Sequence, residues 1–159
     1  MKRDDGLNGL HSAQLWTYIG ATLFLVALLG SAIADPELRI LHSFQALIYI
    51  AVIFLARRNS PWGYGAGFAV AIVWNVLESL HPLPADAVAI WSSLRIGHMP
   101  QLLPMTVMLG AAAHLILIVA TLFAVVRHKA EAGKWWKFAG GAVLSIAYFA
   151  LIVAFALPH

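Results

Sequence analysis

Five long apolar segments occupy most of this sequence, and they constrain its fold more than any other feature. Each holds about 18 to 25 residues, and a helix needs about 20 residues to cross the roughly 30 Å hydrocarbon core of a bilayer. Backbone groups in lipid must be hydrogen-bonded within their own segment, so each segment is predicted to be helical. The predicted spans are residues 13–34, 38–56, 63–80, 102–126 and 138–157.

The composition agrees with a membrane environment. Of the 159 residues, 62% are hydrophobic and 11% are charged, whereas soluble domains have about 45–50% apolar and about 25% charged residues. The predicted fold class is therefore all-α: a polytopic integral membrane helix bundle, forming one domain over residues 13–157 after a polar, loosely ordered tail, residues 1–12. The sequence contains no cysteine, which excludes disulfides, thiolate metal sites, Fe–S clusters and a cysteine nucleophile.

The connections between the segments are rich in turn residues. Asp35-Pro36-Glu37 ends the first segment, because proline disfavours helical conformation in the residue before it. Asn59-Ser60-Pro61 precedes the third segment and is predicted to start its helix, since Ser is a favoured N-cap and Pro a favoured first residue. Residues 85–96 lie between the third and fourth spans and are too short to cross a bilayer. They predict a short interfacial helix.

Basic residues concentrate at the ends of the predicted spans that lie on one side of the membrane. The sequence contains ten Lys and Arg residues; a cytoplasmic N-terminus places eight of them inside and leaves Arg39 and Arg95 outside. The positive-inside rule therefore predicts a cytoplasmic N-terminus and an external C-terminus, and we expect a bacterial inner membrane. Since the cations lie at segment ends and do not cover a water-facing surface, no nucleic-acid partner is expected. The eight are Lys2, Arg3, Arg57, Arg58, Arg127, Lys129, Lys134 and Lys137.

The first segment also has features of a secretory signal. Lys2 and Arg3 precede an apolar run that ends in Ala32-Ile33-Ala34, a small-residue pattern like that of a cleavage site. The run is longer than the roughly 7–15 apolar residues of such signals. We therefore expect a retained first span; cleavage would leave four.

Polar side chains inside the apolar segments are the first candidates for a functional site, because they are unfavourable in lipid. On the second segment, His42, Gln45 and Tyr49 follow one another at helical spacing and share one face. Asn75 and Glu78 on the third segment approach the same, outer leaflet. The sequence predicts that these two stripes form an outward-facing polar pocket.

Two kinds of bound group are compatible with these residues. A transition-metal site would use His42, Glu78, His81 and His98, since imidazoles and a carboxylate suit Zn, Cu, Fe or Ni; alternatively, these are ordinary groups at the membrane–water boundary. A b-type haem would need His42 and His114 as its ligands, although helical rise separates them by about 12 Å in depth. His114 follows small residues, which favours a histidine simply packed between helices.

Three functional hypotheses are consistent with this sequence. The first is an accessory or structural subunit of a membrane complex, packed through its Gly and Ala faces against other membrane subunits or another copy of itself. The second is a metal- or haem-binding redox module in the outer leaflet, built on His42, Glu78, His81 and His98. The third is a small carrier or lipid-modifying enzyme, in which the polar pocket binds the substrate and residues 85–96 cover it. No recognisable nucleophile–base–carboxylate arrangement assigns an enzymatic activity.

Overall fold

The computed structural model of this chain describes residues 4–80, 82–95, 101–127 and 133–156. Within these ranges the chain is helical apart from short turns and contains no strand, which confirms the all-α prediction. The helices are α1 (Asp4–Ala34), α2 (Arg39–Arg57), α3 (Pro61–Leu80), α4 (Pro82–Arg95), α5 (Leu102–Arg127) and α6 (Lys134–Ala156), with one 3-10 turn, Pro36–Leu38, before α2.

Four helical stretches of the described chain are long and apolar enough to cross a membrane. They are His11–Ala34, Pro36–Arg57, Leu102–Arg127 and Lys134–Phe155. The helix α3 is 20 residues long but is not among them. Three glycines, Asn75 and Glu78 lower its mean hydropathy. The protein is thus a helical bundle with four candidate spans established by length and composition.

The first helix is longer than its apolar segment. The sequence predicts a loosely ordered tail up to residue 12 and a span from residue 13, whereas α1 begins at Asp4. The helix therefore continues through residues 4–12, which the composition alone marks as polar.

Both short turns follow the predicted chemistry. The carboxylate of Asp35 accepts a hydrogen bond of 3.0 Å from the Glu37 backbone N–H, which closes the α1–α2 connection. At the other turn, Asn59 has a φ of 53°, a left-handed conformation that Asn tolerates better than most residues. The backbone N–H of Ser60 then donates to the Leu55 carbonyl at 3.0 Å, and Pro61 is the first residue of α3, as predicted.

The helix α3 contacts α2, α5 and α6, while α1 packs against α2 and α5. The α3–α6 interface is backbone against backbone. A Cβ atom added to Gly65 would overlap the backbone carbonyl of Phe138, and one added to Gly141 would overlap that of Trp62. Small residues permit such close approach of helices, so these glycines set the distance between α3 and α6.

The two ends of the bundle differ in charge. Ser31, Leu38, Glu78 and Leu103 line one cavity, which brings the last turns of α1 and α3 and the starts of α2 and α5 to one end, hereafter the Asp35 end. The opposite end, hereafter the Arg58 end, holds the α2–α3 turn and the start of α6. The basic residues at the Arg58 end are Arg57, Arg58, Arg127, Lys134 and Lys137.

The short helix α4 lies at the Asp35 end, against α3 and α5. It runs from Pro82 to Arg95, close to the predicted 85–96; it starts earlier because proline is tolerated in the first turn of a helix. Val88, Trp91 and Leu94 are more than half exposed, at 68%, 70% and 57%. This apolar ridge therefore faces away from the rest of the bundle.

Candidate functional site

A cavity of about 230 Å³ opens between α1, α2, α3 and α5 at the Asp35 end. His42 of α2 and Glu78 of α3 both line it. The structure thus brings together two of the residues that the sequence predicts for a polar pocket. Both side chains are half-buried, so an imidazole and a carboxylate face a shared space that a small molecule could occupy.

The remaining walls of this cavity are aromatic, aliphatic and hydroxylic. Phe24 of α1 and Trp74 of α3 contribute two aromatic rings, which meet at 5.3 Å between centroids in an edge-to-face arrangement. Ser31 and Thr106 contribute hydroxyl groups and are buried. Since Thr106 donates its proton to the Leu103 carbonyl at 2.8 Å, its oxygen can still accept a hydrogen bond from a ligand.

Next to the cavity lies a buried cluster of four rings, Phe24, Tyr49, Trp74 and His114. The imidazole of His114 is fully buried and stacks on Phe24 with 3.8 Å between ring centroids. Its Nε2 atom is hydrogen-bonded to the Tyr49 hydroxyl at 2.7 Å. Phe24 and Trp74 belong to the cluster and also line the cavity. The cluster therefore supports the cavity wall with rigid, closely packed rings.

The predicted stripe on α2 divides between these two sites. His42 lines the cavity, whereas the lining does not include Gln45 or Tyr49. Gln45 and Tyr49 are buried, with 4% and 1% of their surfaces exposed. Tyr49 lies seven residues beyond His42, about 10.5 Å further along the helix axis. The stripe thus runs from the cavity down to His114.

Within the described part of the chain, three buried polar atoms in this region have no hydrogen-bond partner. They are Nδ1 of His42, Oε1 of Gln45 and Nδ1 of His114. Buried polar atoms are nearly always satisfied in proteins, by protein groups, water or a ligand. Their grouping along one stripe makes this the region of the described bundle where an additional polar molecule would be stabilised.

The other residues predicted for the site either do not line the cavity or lie outside the described residues. The side-chain amide of Asn75 donates to the Ala71 carbonyl of its own helix at 3.0 Å, and Asn75 does not line the cavity. His81 and His98 lie outside the described residues. The four-residue metal hypothesis with His42 and Glu78 therefore stays a prediction. Among the described side chains there is no group of three or more His, Asp or Glu residues that could hold a metal ion.

The haem hypothesis with His42 and His114 stays a prediction, and the two histidines have different surroundings. An axial histidine must direct a ring nitrogen toward open space next to its partner ligand. His114 does not line the cavity that His42 lines, its Nε2 atom is bonded to Tyr49, and Phe24 covers one face of its ring. The environment of His114 is instead that of a histidine packed between helices, the reading favoured by its small neighbours in sequence.

The glycines bear on the hypothesis of an accessory subunit. That hypothesis uses the small-residue faces for contacts with other chains, but a Cβ atom added to any of eight glycines in α1, α3, α5 and α6 would lie within 4 Å of another helix of this chain. They are consequently committed to internal packing. The glycines concerned are Gly20, Gly30, Gly63, Gly65, Gly67, Gly110, Gly140 and Gly141.

Sequence reasoning missed Phe24 and Trp74, although both contribute to the cavity and to the ring cluster. Aromatic residues are common in apolar spans, and nothing in their spacing distinguishes these two from rings that face lipid. The sequence contains only an indirect indication of these two residues, a glycine on the facing helix α5. Gly110 of α5 leaves room for both, since a Cβ there would lie 3.1 Å from Phe24 and 3.2 Å from Trp74.

Comparison with known proteins finds no family model, no curated protein and no solved structure that matches this chain. Its function is therefore inferred from the cavity and the ring cluster. The features with direct chemical meaning are the carboxylate of Glu78, the imidazole of His42 and the two aromatic rings in the same wall.

Proposed function

We propose that this protein is a five-span bacterial inner-membrane protein that binds a small organic cation in the cavity at the Asp35 end. The fifth span is α3. At 20 residues it is about 30 Å long, which matches the hydrocarbon core. It starts at the Arg58 end, and its Glu78 lines the cavity at the other end together with Ser31 and Leu103. A helix that traverses the bundle between four spans traverses the same membrane.

The crossing of α3 is testable with single cysteines, because the sequence contains none. Ser60→Cys precedes α3, and Ser79→Cys lies in its last turn. We expect a membrane-impermeant maleimide to label Ser79→Cys in intact cells and to label Ser60→Cys only after the membrane is permeabilised. The positive-inside rule gives this direction, since five of the described basic residues lie at the Arg58 end and two, Arg39 and Arg95, at the Asp35 end. Labelling of both cysteines from the same side would contradict the crossing.

The same topology assigns α4 to the external membrane surface. The chain leaves α3 and enters α5 at the Asp35 end, so α4 has no membrane to cross. Its exposed ridge of Val88, Trp91 and Leu94 is suited to the boundary between headgroups and acyl chains, where amphipathic helices bury their apolar side. We infer that α4 lies in this interface beside the mouth of the cavity.

The single observation that carries the proposed binding function is the convergence of His42 and Glu78 on one cavity. Two polar side chains from different helices line a pocket that also has apolar walls, which is the usual composition of a small-molecule site. In a membrane segment, ionisable residues face a polar path or a ligand, because exposure to lipid is unfavourable. A volume of about 230 Å³ is sufficient for a molecule of several non-hydrogen atoms.

A cationic ligand fits the chemistry of the walls better than an anion. The carboxylate of Glu78 attracts positive charge, and aromatic faces such as those of Phe24 and Trp74 stabilise cations within about 6 Å. The Ser31 and Thr106 hydroxyl oxygens line the same space and can accept a hydrogen bond from a hydroxyl group of the ligand.

Binding can be tested with choline and its uncharged carbon analogue, 3,3-dimethylbutan-1-ol. We expect calorimetry on the purified protein in mild detergent to detect choline binding and to show at least about tenfold weaker binding of the analogue, because tenfold corresponds to roughly 1.4 kcal/mol and cation–π contacts contribute about 0.5–2 kcal/mol before the carboxylate is added. Glu78→Gln should weaken choline binding by about tenfold and leave binding of the analogue unchanged.

The matched control is Glu37→Gln, which removes the same charge from an exposed residue at the same end of the bundle. It should bind choline like the unmodified protein. Equal affinity for choline and its analogue, or an equal effect of the two glutamine variants, would contradict a cation site at Glu78.

A further inference from the structure

A second concave surface lies on the lateral side of the bundle, between α2 and α6. It encloses about 400 Å³ and is lined by residues of α2, α3 and α6, among them Leu55, Trp62 and Leu144. It occupies the half of the bundle nearest the Arg58 end, because Leu55 and Trp62 flank the α2–α3 turn. This groove is separate from the cavity at the Asp35 end and has no polar site of its own.

The lining of the groove is suited to hydrocarbon. Two hydroxyl groups reach it, those of Ser145 and Tyr148, and both already donate to backbone carbonyls: Ser145 to Ala142 at 2.9 Å and Tyr148 to Phe44 at 3.3 Å. The other lining side chains are aliphatic, apart from the Trp62 indole and a glycine. Water would find few hydrogen-bond partners in this groove, so its occupant is expected to be apolar.

The length of the groove corresponds to one leaflet. On α2 it extends from Leu47 to Leu55, and on α6 from Tyr148 back to Gly141, about 12 Å and about 10.5 Å of helix respectively. One leaflet supplies about half of the roughly 30 Å hydrocarbon core. The hydrogen bond from Tyr148 to Phe44 crosses from α6 to α2 and separates the groove from a second recess further along the same two helices, which Ile40, Leu151 and Phe155 help to line.

Positive charge lies just beyond the open end of the groove. Arg58 follows Leu55 by three residues and Lys137 precedes Gly141 by four, so helical periodicity puts each cation on the same side as a groove residue. The Arg58 guanidinium lies 4.3 Å from the centroid of the Phe54 ring, and Phe54 is half exposed on the lateral surface. Arg58 therefore runs along the lipid-facing side of α2 at headgroup level, as membrane arginines commonly do.

We propose that the groove between α2 and α6 binds one anionic phospholipid from the cytoplasmic leaflet. An acyl chain fills the apolar groove as far as Tyr148, and the phosphate contacts Arg58 and Lys137. Basic clusters at the cytoplasmic end of spanning helices attract anionic lipids, by about 1 kcal/mol per cation. Trp62 lines the same end of the groove, at the depth where tryptophan is enriched in membrane proteins.

The proposal can be tested by native mass spectrometry of the detergent-purified protein, incubated with equal amounts of phosphatidylglycerol and phosphatidylcholine that carry identical acyl chains. We expect one phosphatidylglycerol to be retained in several-fold preference. Arg58→Gln should lower the ratio of phosphatidylglycerol to phosphatidylcholine several-fold, and Lys137 should maintain the remaining preference. Arg95→Gln removes the same charge from an exposed residue of α4 and should leave the ratio unchanged. Equal retention of both lipids, or no effect of Arg58→Gln, would overturn the proposal.

A second pair of variants tests the groove itself. Ala51 lines the groove and is exposed, so Ala51→Phe should fill the space without disturbing the core and abolish retention of either lipid. Ala147 is exposed on α6 outside the groove lining, and Ala147→Phe should retain lipid normally. Unchanged retention in Ala51→Phe would refute binding in the groove. A wild-type dimer that Ala51→Phe converts to monomer would show a second copy there and would likewise refute it.

Discussion

Gly65→Ala is expected to destabilise the folded bundle by about 3 kcal/mol, the upper part of the range for overpacked interiors. The added methyl group would overlap the backbone carbonyl of Phe138. A backbone atom of a packed helix cannot move aside as a flexible side chain can. The two helices α3 and α6 would have to separate, which would weaken their interface. Thermal unfolding in detergent, followed by circular dichroism, measures the loss.

Gly67→Ala is the matched control for this prediction, since it adds the same methyl group two residues further along α3. There the new atom would lie 3.1 Å from the Cγ1 atom of Val52 and 3.3 Å from the Cγ2 atom of Thr121, which are the ends of side chains. We expect a markedly smaller loss of stability. Equal effects of the two alanines would show that α3 and α6 are not in backbone contact.

His114→Ala is expected to lower the free energy of unfolding by about 3–5 kcal/mol, as the loss of other large buried rings does. The imidazole stacks on Phe24 and is fully buried, so its removal leaves a void among the rings. It also leaves the Tyr49 hydroxyl without the hydrogen bond of 2.7 Å that it makes in the structure. Denaturant titration in mixed micelles measures the change in unfolding free energy.

A double-mutant cycle separates the void from the lost hydrogen bond. Tyr49→Phe and His114→Phe each keep a ring in place but leave one polar partner unsatisfied, and each should cost about 1–2 kcal/mol. The double variant removes both hydrogen-bonding partners. We therefore expect its loss of stability to be smaller than the sum of the losses of the two single variants. Strictly additive losses would show that Tyr49 and His114 do not interact energetically.

The helical architecture follows from the sequence for simple physical reasons. Segment length and hydropathy indicate helices of membrane-spanning length, and the turn residues Asp35 and Pro61 mark where they end and begin. These are local properties, determined by backbone hydrogen bonding in lipid and by the restricted dihedral angles of proline. The start of α1 differs from the prediction because hydropathy marks the apolar stretch and not the end of the helix.

The site could be predicted only in part. Helical spacing places His42 and Tyr49 on one face of α2, but it does not specify which helix meets that face at each level. The partner of Tyr49 is His114 of α5, and the residue that shares a cavity with His42 is Glu78 of α3. Such pairings depend on the rotation and relative height of the helices. Both are set by contacts such as that of Gly65 with Phe138, which are distant in sequence.

The close contact between α3 and α6 also has a consequence for biosynthesis. During translation α3 emerges before α6, so the side of α3 at Gly65 has no partner in the chain until α6 is made. The close contact between α3 and α6 therefore forms only after α6 has left the translocon, against a surface already held in place by α2 and α5. A nascent chain stalled after α5 would present that surface to lipid, in a form that quality-control proteases could distinguish from the finished protein.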